Sequence, residues 1–447
     1  MKKGMFFALA ASSLLFSACS SDDAVVSTEG QNEAVQQIVL QVASSGDGLT
    51  TRAGRPLYSS QALQTIQNVR VVIYNADTKK IVKDATQDWT KSTTYNNHGH
   101  GRQFTLTFKG NDRLEKGNYK VMAVGYSNES DYEYSLNATS AVGLTYDDIT
   151  ATLKAGKKEA EEVFAGDADL KIGDDKKITN LTSGEENGVA VTLHRQVAGS
   201  FGYFQNIPAS VNGKAAATLR LVVRDKNDVL TFNNFNSSFT ANGATGSTIK
   251  YYVNGSKSAS AATADAKFYN NEDGYVLYSI NLSKWFTEGD KNKDGLLNAE
   301  DTWQHPSSVN TQVVKGSVFG SNFVIPFNYA KGKSTMELQL LDAENNIIKT
   351  WTVSIPKDDV NTDTANGVTD ASTSIFNVVR NHMYNLGVKT SNGTKPDPSN
   401  PDPKPTDPDP DKPKPGTDEP EDLSKSQNLI LKVNDNWEAI HQMELGD

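Results

Sequence analysis

Six positions within Asp290–Asp301 have the residue types and the spacing of a calcium-binding loop. Carboxylate and amide oxygens recur at alternate positions, and Gly295 stands where such loops make their sharp turn. Asp301 stands where these loops usually carry a bidentate glutamate. A solvated acidic turn without metal is the alternative to a weak structural calcium site. The expected ligands are Asp290, Asn292, Asp294, the main-chain carbonyl of Leu296, Asn298 and Asp301.

Cys19 is the only cysteine of the chain, so an intrachain disulfide is excluded. Lys2 and Lys3 precede an apolar run at 5–16 that is too short to span a membrane. Small residues stand directly before Cys19, as in the signal peptides of bacterial lipoproteins. We therefore expect export of the chain and acylation of Cys19, which would anchor the precursor in the outer membrane. The alternative is an ordinary secretory signal in which the cysteine occurs by chance.

A second chemical feature is a loop of small and hydroxyl residues at 44–54 that contains Arg52. Loops of this composition are exposed and are preferred sites of proteolysis. The bond between Arg52 and Ala53 is therefore the expected site of proteolytic cleavage. An ordinary surface arginine without this role is the alternative.

Two strand-forming segments near opposite ends of the chain have almost the same pattern. Gln36–Ala43 aligns with Gln427–Asn434, apolar residue for apolar residue and polar for polar until the last position. A period of two predicts strands with one face in a core. We infer that both segments fit one groove, and we name the first the plug and the second the donor after the roles that the resemblance described below implies. The plug side chains are Ile38, Leu40 and Val42, and the donor side chains are Leu429, Leu431, Val433 and Trp437.

The rest of the chain has the pattern of an all-β protein. Short alternating segments separated by turn residues predict antiparallel β-sandwiches. A hairpin is expected over 69–82, a long strand over 189–204 and a short helical patch near 146–153. Asn206–Pro208 breaks the long strand, which predicts a domain boundary there. The net charge of −10 and the lack of a basic block argue against nucleic acid as a partner.

A proline-rich segment separates the second domain from the tail. Residues 395–422 hold most of the 15 prolines of the chain, alternating with Asp and Lys, which predicts an extended linker. The tail beyond it is expected to reach a neighbouring molecule, and a tail folded back onto its own second domain is the alternative. The division is a signal peptide at 1–19, a propeptide with the plug at 20–52, β-sandwich domains at 53–207 and 208–394, a linker at 395–426 and a donor strand at 427–447.

Several pieces of the sequence, in this order, resemble the fimbrillins, the shaft subunits of type V pili in the Bacteroides and Porphyromonas group. They are Leu15–Cys19, Thr51–Ala53, Leu114–Gly125, Val191–Ala198, and Val378–Tyr384 with the linker and Trp-bearing strand that follow. The resemblance implies two tandem transthyretin-like β-sandwich domains, exported as a lipoprotein. It implies that an arginine-specific protease removes the plug and that the donor strand of the next subunit replaces it. The implied partners are copies of the chain, anchor and tip pilins and the protease, in a fimbria at the cell surface.

A surface glycan-binding lipoprotein is the rival hypothesis. Trp285, Trp303 and Trp351 are candidate sugar platforms, although core packing accounts for them as well. The linker and terminal strand favour the pilus subunit because a binding module has no need of them. The sequence contains no Gly-x-Ser-x-Gly, His-Glu-x-x-His or phosphate-loop motif, so we do not expect an enzyme.

Overall fold

The computed structural model describes residues 35–42, 66–95, 101–136, 140–233, 235, 254–261, 263–307, 309, 313–327, 336–354, 378, 380, 383–387, 418–425 and 428–434. Within these ranges the structure is all-β, as the sequence predicts. The helical segments described are short 3-10 turns at Trp89–Lys91, Gly110–Asp112 and Leu282–Lys284. No helix in the described ranges has the length and apolar composition needed to cross a bilayer.

The strands of the first half are β1 Gln36–Val42, β2 Asn68–Asn75, β3 Ile81–Asp88, β4 Thr93–Tyr95, β5 Gly101–Phe108, β6 Gly117–Tyr126, β7 Tyr132–Tyr134, β8 Thr150–Leu153, β9 Phe164–Ile172 and β10 Gly188–Arg195. Those that follow are β11 Ala198–Gln205, β12 Ile207–Pro208, β13 Ser210–Val211, β14 Lys214–Ala215, β15 Thr218–Val223, β16 Val229–Thr231, β17 Gly255–Ser256, β18 Ala266–Lys267, β19 Asp273–Asn281, β20 Leu296–Leu297, β21 Ser317–Val324, β22 Met336–Leu341, β23 Ile347–Ser354, β24 Met383–Leu386, β25 Glu421–Asp422, β26 Asn428–Ile430 and β27 Lys432–Asn434.

The first half is built on a sheet with the strand order β3-β2-β6-β9-β10-β1-β5-β4. β2 and β3 form the antiparallel hairpin predicted over 69–82. Alternate residues of β2, such as Val69 and Val71, face a core that also contains Ile38 and Leu40 from β1. Every strand of this order except β4 contributes to this one core. The sheet therefore curves around it like half of a barrel.

The second half has two main sheets. One has the order β18-β19-β15-β22-β23-β26, and the other has the order β21-β11-β24-β27 with β25 paired to β11. Leu219 and Leu221 from the first of these sheets pack in the same core as Phe201 and Tyr203 from the second. The two sheets are thus layers on either side of one apolar core. A smaller sheet, β17-β16-β8-β7, joins strands from both halves of the chain.

The long strand expected over 189–204 is two strands, β10 and β11. β10 pairs in the first sheet, whereas β11 pairs with β21 and β24 in the second half. The change of sheet therefore falls between Arg195 and Ala198, earlier than the boundary expected at 207. No glycine or proline marks this point. The intervening Gln196 and Val197 are both buried, so burial continues across the change of sheet.

The helical patch expected near 146–153 is wrong. β8 occupies its second half and pairs with β7 and β16. Ala151 and Leu153 are buried while Thr150 and Thr152 are half-buried, which is the period of a strand. The β-branched threonines favour a strand as well.

The linker expected at 395–426 ends earlier than predicted, since residues 418–425 pack on the second half. β25 pairs with β11, and the Leu423 side chain is fully buried. Residues 428–434 follow as two short strands on different sheets rather than as part of one continuous strand. The uninterrupted run Leu429-Ile430-Leu431 breaks the alternation, and the chain crosses from one sheet to the other at this run.

Candidate strand-binding groove

β1 is inserted between two strands of the first sheet. It pairs antiparallel with β5 from Gln36 to Val42 and parallel with β10 from Gln37 to Val42. Its main-chain groups are therefore used on both sides along almost its whole length. Neither neighbour is close to β1 in sequence, so no short turn holds the strand in place.

The side chains of β1 complete the core of the first half. Ile38 and Leu40 are each 0% exposed and pack in the cluster that contains Leu106 from β5 and Val191 from β10. Burial of an aliphatic side chain of this size stabilises a fold by about 1.5–3 kcal/mol. Val39, which points to the opposite face, is also buried. β1 is thus an integral strand of the core and not a peripheral addition.

Gln36 begins β1 and is fully buried. Its Nε2 group donates hydrogen bonds to the carbonyl oxygens of Leu114, at 2.9 Å, and Lys176, at 2.8 Å. Its Oε1 atom accepts a hydrogen bond from the Leu114 N–H group at 2.8 Å. One side chain therefore joins β1 to the segment before β6 and to the turn after β9. Sequence reasoning missed this residue because a glutamine beside an alternating run suggests a solvent-facing position.

Removal of β1 would convert its place into a groove. β5 and β10 would each present an unpaired main-chain edge, and the core cluster would form an apolar floor between them. A groove with two open edges accepts an extended segment by β-strand addition. Main-chain pairing supplies the affinity in that mode, and pockets for alternate side chains supply the specificity.

The predicted processing sites Cys19, Arg52 and Ala53 lie outside the described residues. Their place in the chain is nevertheless informative. β1 ends at Val42 and the described chain resumes at Ile66, so Arg52 lies in the connection between β1 and the rest of the sheet. A cut in that connection would leave β1 attached by non-covalent contacts alone.

The described part of the predicted donor lies on the second half of its own chain, which is the alternative that the sequence left open. β26 is parallel to β23, and β27 is antiparallel to β24. Leu429 and Leu431 are each 0% exposed in the core of the second half. Val433 lies in β27 opposite Tyr384, and Trp437 lies outside the described residues. Each strand of the tail is three residues long and is the last strand in its sheet as described.

A short segment before the tail is held more firmly. Asn206 donates a hydrogen bond from Nδ2 to Oδ2 of Asp422 at 3.0 Å, and Leu423 is buried beside it. Burial raises the pKa of Asp422, but hydrogen bonds from Ser424, Lys425 and Asn206 outweigh this effect and lower the pKa to about 2. We call residues 418–425 the anchor segment.

The two ends of the proline-rich segment meet on β11. Gly387, directly after β24, has a φ of +79°, and a Cβ atom placed on it would lie 2.5 Å from the carbonyl oxygen of Tyr203 and 3.2 Å from the nitrogen of Glu421. The Tyr203 hydroxyl donates a hydrogen bond to Asp418 at 3.1 Å. The residues on either side of 388–417 therefore lie close together on β11.

The predicted calcium loop folds around its own carboxylates. Asp290 accepts hydrogen bonds from the backbone N–H groups of Asp294, at 3.2 Å, and Gly295, at 2.9 Å. Asp301 accepts one from the N–H group of Asn298 at 2.9 Å. Gly295 has a φ of +89°, which is the left-handed turn expected at this position. The backbone thus has the tight turn that the sequence predicts.

The side chains of the same loop are satisfied by one another. Nδ2 atoms of Asn292 and Asn298 donate to Oδ2 of Asp294 at 3.0 and 2.7 Å. The N–H group of Leu296 donates to Oδ1, and this bond together with that from Asn298 lowers the pKa of Asp294. Among the described residues, no group of three or more His, Cys, Asp or Glu side chains is placed to hold a metal ion. A calcium ion would have to displace the two amide groups from Asp294.

The tryptophans of the glycan-binding hypothesis are packing residues. Trp285 and Trp351 are buried, at 2% and 1% exposed. Trp303 is partly buried and donates a hydrogen bond from Nε1 to the carbonyl oxygen of Ser317 at 2.7 Å. Its ring lies 6.2 Å from that of Trp285, centroid to centroid. Trp285 and Trp351 therefore present no open ring face of the kind that a sugar stacks on, and Trp303 packs beside Trp285.

The chain is similar in fold to solved fimbrial proteins of the Bacteroidales. One is the tip fimbrial protein Mfa3 from Porphyromonas gingivalis with C-terminal truncation, at 8% identity and a TM-score of 0.36 over 79% of this chain and 94% of that chain. Another is the fimbrial anchor protein Mfa2 from the same organism, at 8% identity and a TM-score of 0.32 over 81% and 98%. A third is a fimbrial assembly protein from Parabacteroides distasonis, at 15% identity and a TM-score of 0.33 over 81% and 93%.

No protein-family model matches the chain, and no curated protein matches it. Because the identities are low and the TM-scores lie below 0.5, these similarities do not assign a function to the chain. The function of this chain has to be inferred from its own geometry.

Proposed function

We propose that the chain is a structural subunit of a cell-surface pilus that polymerises by strand exchange. The precursor is exported as an outer-membrane lipoprotein acylated at Cys19, and an arginine-specific protease cuts it between Arg52 and Ala53. β1 then leaves the groove, and the tail of another copy enters it. Anchor and tip pilins, as in the fimbrillins, are the further partners. The donor side chains are Leu429, Leu431, Val433 and Trp437.

The position of β1 is the observation that carries this proposal. A strand in the interior of a sheet, joined to the rest of its domain only through the connection that contains Arg52, can be released by one cut. The same strand supplies buried core residues, so its loss exposes apolar surface that binding of another strand would cover again. Ile38 and Leu40 define the two apolar positions that a replacement has to fill.

The tail is suited to be that replacement. Among the described residues of its own subunit, each of its two strands pairs with one neighbour over three residues. In the groove, the same segment would pair on both sides, as β1 does over Gln36–Val42. Each main-chain hydrogen bond gained contributes roughly 0.5–1.5 kcal/mol. Exchange between copies therefore increases the pairing of the tail once the groove is free.

Covalent attachment of β1 prevents strand exchange before proteolytic cleavage. A tethered strand acts at an effective concentration on the order of millimolar, so the tail of a neighbour loses the competition. After cleavage β1 is a separate peptide that dilutes away. A contact between the groove of one copy and the tail of the next is head-to-tail and does not close on itself, which yields an open filament.

The experiment that tests the proposal compares two arginines of one loop. Treatment of the purified precursor with an arginine-specific protease is followed by gel electrophoresis and electron microscopy. The Arg52→Ala variant is expected to stay monomeric, whereas the control Arg55→Ala, whose arginine precedes Pro56 and is a poor cleavage site, is expected to form filaments. A chain truncated after Lys425 should be cleaved normally and should not polymerise. Filaments of ordinary length from the truncated chain would exclude the tail as donor.

A structural calcium ion at Asp290–Asp301 is part of the same proposal. The oxygen-rich donor set and the turn at Gly295 support it. The ion would stiffen a loop that pairs through β20 with β12, near the junction of the two halves. Its role would be stability alone, with no part in the exchange of strands.

A further inference from the structure

The groove contains a polar socket in addition to its apolar floor. The socket consists of the N–H and C=O groups of Leu114 and the C=O group of Lys176, and the amide of Gln36 satisfies all three. Leu114 is buried and Gln36 is fully buried, so water would not replace the two bonds to Leu114 while a strand lies in the groove, whereas the bond to Lys176 is only partly buried. Two carbonyl oxygens and one N–H group are left without partners if no amide is supplied.

We propose that this socket sets the register of the strand in the groove and that Gln427 of the donor takes the place of Gln36. The inference rests on the strand exchange proposed above. It assigns a specific role to a residue outside the core pattern, because the apolar positions alone permit slippage by two residues. A buried polar contact of fixed geometry is a common means of excluding such slips.

The chemistry of the socket selects a primary amide. An amide side chain has two N–H donors and one carbonyl acceptor, which matches two carbonyls and one N–H group. A carboxylate has no donor and would repel both carbonyl oxygens. An apolar side chain of the same length leaves the N–H and C=O groups of Leu114 buried and unsatisfied, which is a costly arrangement, and removes the partly buried bond to Lys176. The side chain of asparagine is one methylene shorter than that of the glutamine observed.

The sequence of the tail allows one register. β1 has an amide at Gln36 and apolar side chains two and four residues later, at Ile38 and Leu40. Within 427–447, only Gln427 is followed in this way, by Leu429 and Leu431. The other amide residues of the tail have a polar or charged residue at one or both positions, as is true of Asn428, Asn434, Asn436 and Gln442.

Strand direction is compatible with this register. β1 runs parallel to β10 on one side and antiparallel to β5 on the other. In its own subunit, one strand of the tail, β26, is parallel to β23 and the other, β27, is antiparallel to β24, so the tail forms both kinds of pairing. A tail in the groove would run in the direction of β1 and would place Leu429 at the position of Ile38 and Leu431 at that of Leu40.

Displacement by peptides tests the proposal on the full chain cut at Arg52. Fluorescent peptides of the sequences 35–43 and 426–434 compete for the groove, at protein concentrations below those that give filaments, and anisotropy measures their affinity. Gln36→Met and Gln427→Met should each weaken binding of their own peptide on the order of tenfold to a hundredfold. Gln36→Glu and Gln427→Glu should weaken it at least as much. Gln41→Met and Lys432→Met, at equivalent positions away from the socket, should change it by no more than about twofold.

The outcomes separate this inference from the proposed function. Equal loss in both peptides on substitution of their glutamine supports the shared socket. If the 426–434 peptide and its Gln427→Met variant displace the plug with the same affinity, the proposed register is wrong. Strand exchange itself would still be supported by that result. Binding of the plug peptide that depends on Gln36, with no binding of any tail peptide, would overturn the donor role itself.

Discussion

Leu40 lies directly opposite Val191 in the parallel ladder between β1 and β10, and both side chains are fully buried. The first of these residues precedes the predicted cut and the second follows it. Truncation of Leu40 therefore weakens the contact that holds the plug. We expect Leu40→Ala to lower the free energy of unfolding of the precursor by about 2–5 kcal/mol, in chemical denaturation.

A matched control for this substitution is Gln41→Ala, one residue further along the same strand and only half-buried. It should cost much less than Leu40→Ala. After proteolysis, the Leu40→Ala plug should also leave faster, which mass spectrometry of the retained peptide would measure. Equal costs for the two substitutions would show that the buried face of β1 does not hold the plug.

A second prediction concerns the anchor segment and Gly387. The Gly387→Ala substitution combines a positive φ with a Cβ atom 2.5 Å from the carbonyl oxygen of Tyr203, so both strain and collision oppose it. Gly213→Ala is the control, since Gly213 has a φ of +77° with no atom within 4 Å of the added carbon. The control should cost about 1 kcal/mol, and Gly387→Ala should cost more.

Proteolytic sensitivity of residues 418–425 would check the same substitution locally. The anchor segment lies against β11 beside Gly387, so Gly387→Ala should increase cleavage within it, whereas Gly213→Ala should leave the rate unchanged. Identical cleavage rates in the two variants would mean that the segment does not depend on this close approach.

A third prediction concerns pH. The pKa of Asp422 falls from 3.8 to about 2 in the fold, so its carboxylate stabilises the folded state above 3.8. That contribution is lost as the pH falls through this interval toward 2. Hydrogen exchange of residues 418–425, corrected for intrinsic rates, should therefore accelerate across this interval. The Asp422→Asn variant should show no such acceleration, and equal acceleration in both proteins would rule out this carboxylate as its cause.

A fourth prediction concerns calcium. Binding to Asp290–Asp301 would stabilise the protein by about 1.4 kcal/mol at a calcium concentration ten times Kd. The melting temperature should rise with calcium and much less with magnesium, because the larger ion accepts more protein oxygens. Asp294→Asn should abolish the rise, whereas Asp273→Asn, on an exposed part of β19, should preserve it. A melting temperature that does not change with calcium would show that Asp290–Asp301 is an acidic turn without a metal ion.

Local sequence patterns predicted which segments form strands better than they predicted which strands pair with each other. The alternation of Val69 and Val71 identified β2, and the turn residues after it identified the hairpin with β3. The partners of β1 could not be read in the same way, since β5 and β10 are distant in sequence and one of the pairings is parallel. The division at Arg195–Ala198 was hidden for a related reason, because buried side chains continue across it.

The polar residues of the site were the hardest to predict. Gln36 has the residue type of an exposed position, and only the folded chain shows three backbone groups around it. Asp422 was assigned to the linker because it follows an Asp/Pro repeat, yet Leu423 beside it is buried. A single apolar residue after a proline-rich segment was the signal available, and it is a weak one.

The meeting of Gly387 with the anchor segment has a consequence for the spacing of subunits in a filament. The residues that flank 388–417 both lie on β11, so this segment does not add to the distance between the folded part and the tail. For a loop whose ends are held together, each doubling of the length changes the entropic cost of closure by only about 0.6 kcal/mol. If subunits join through the tail as proposed, the few residues between Leu423 and Leu429 would set their spacing, and the number of residues in 388–417 would have little effect on it.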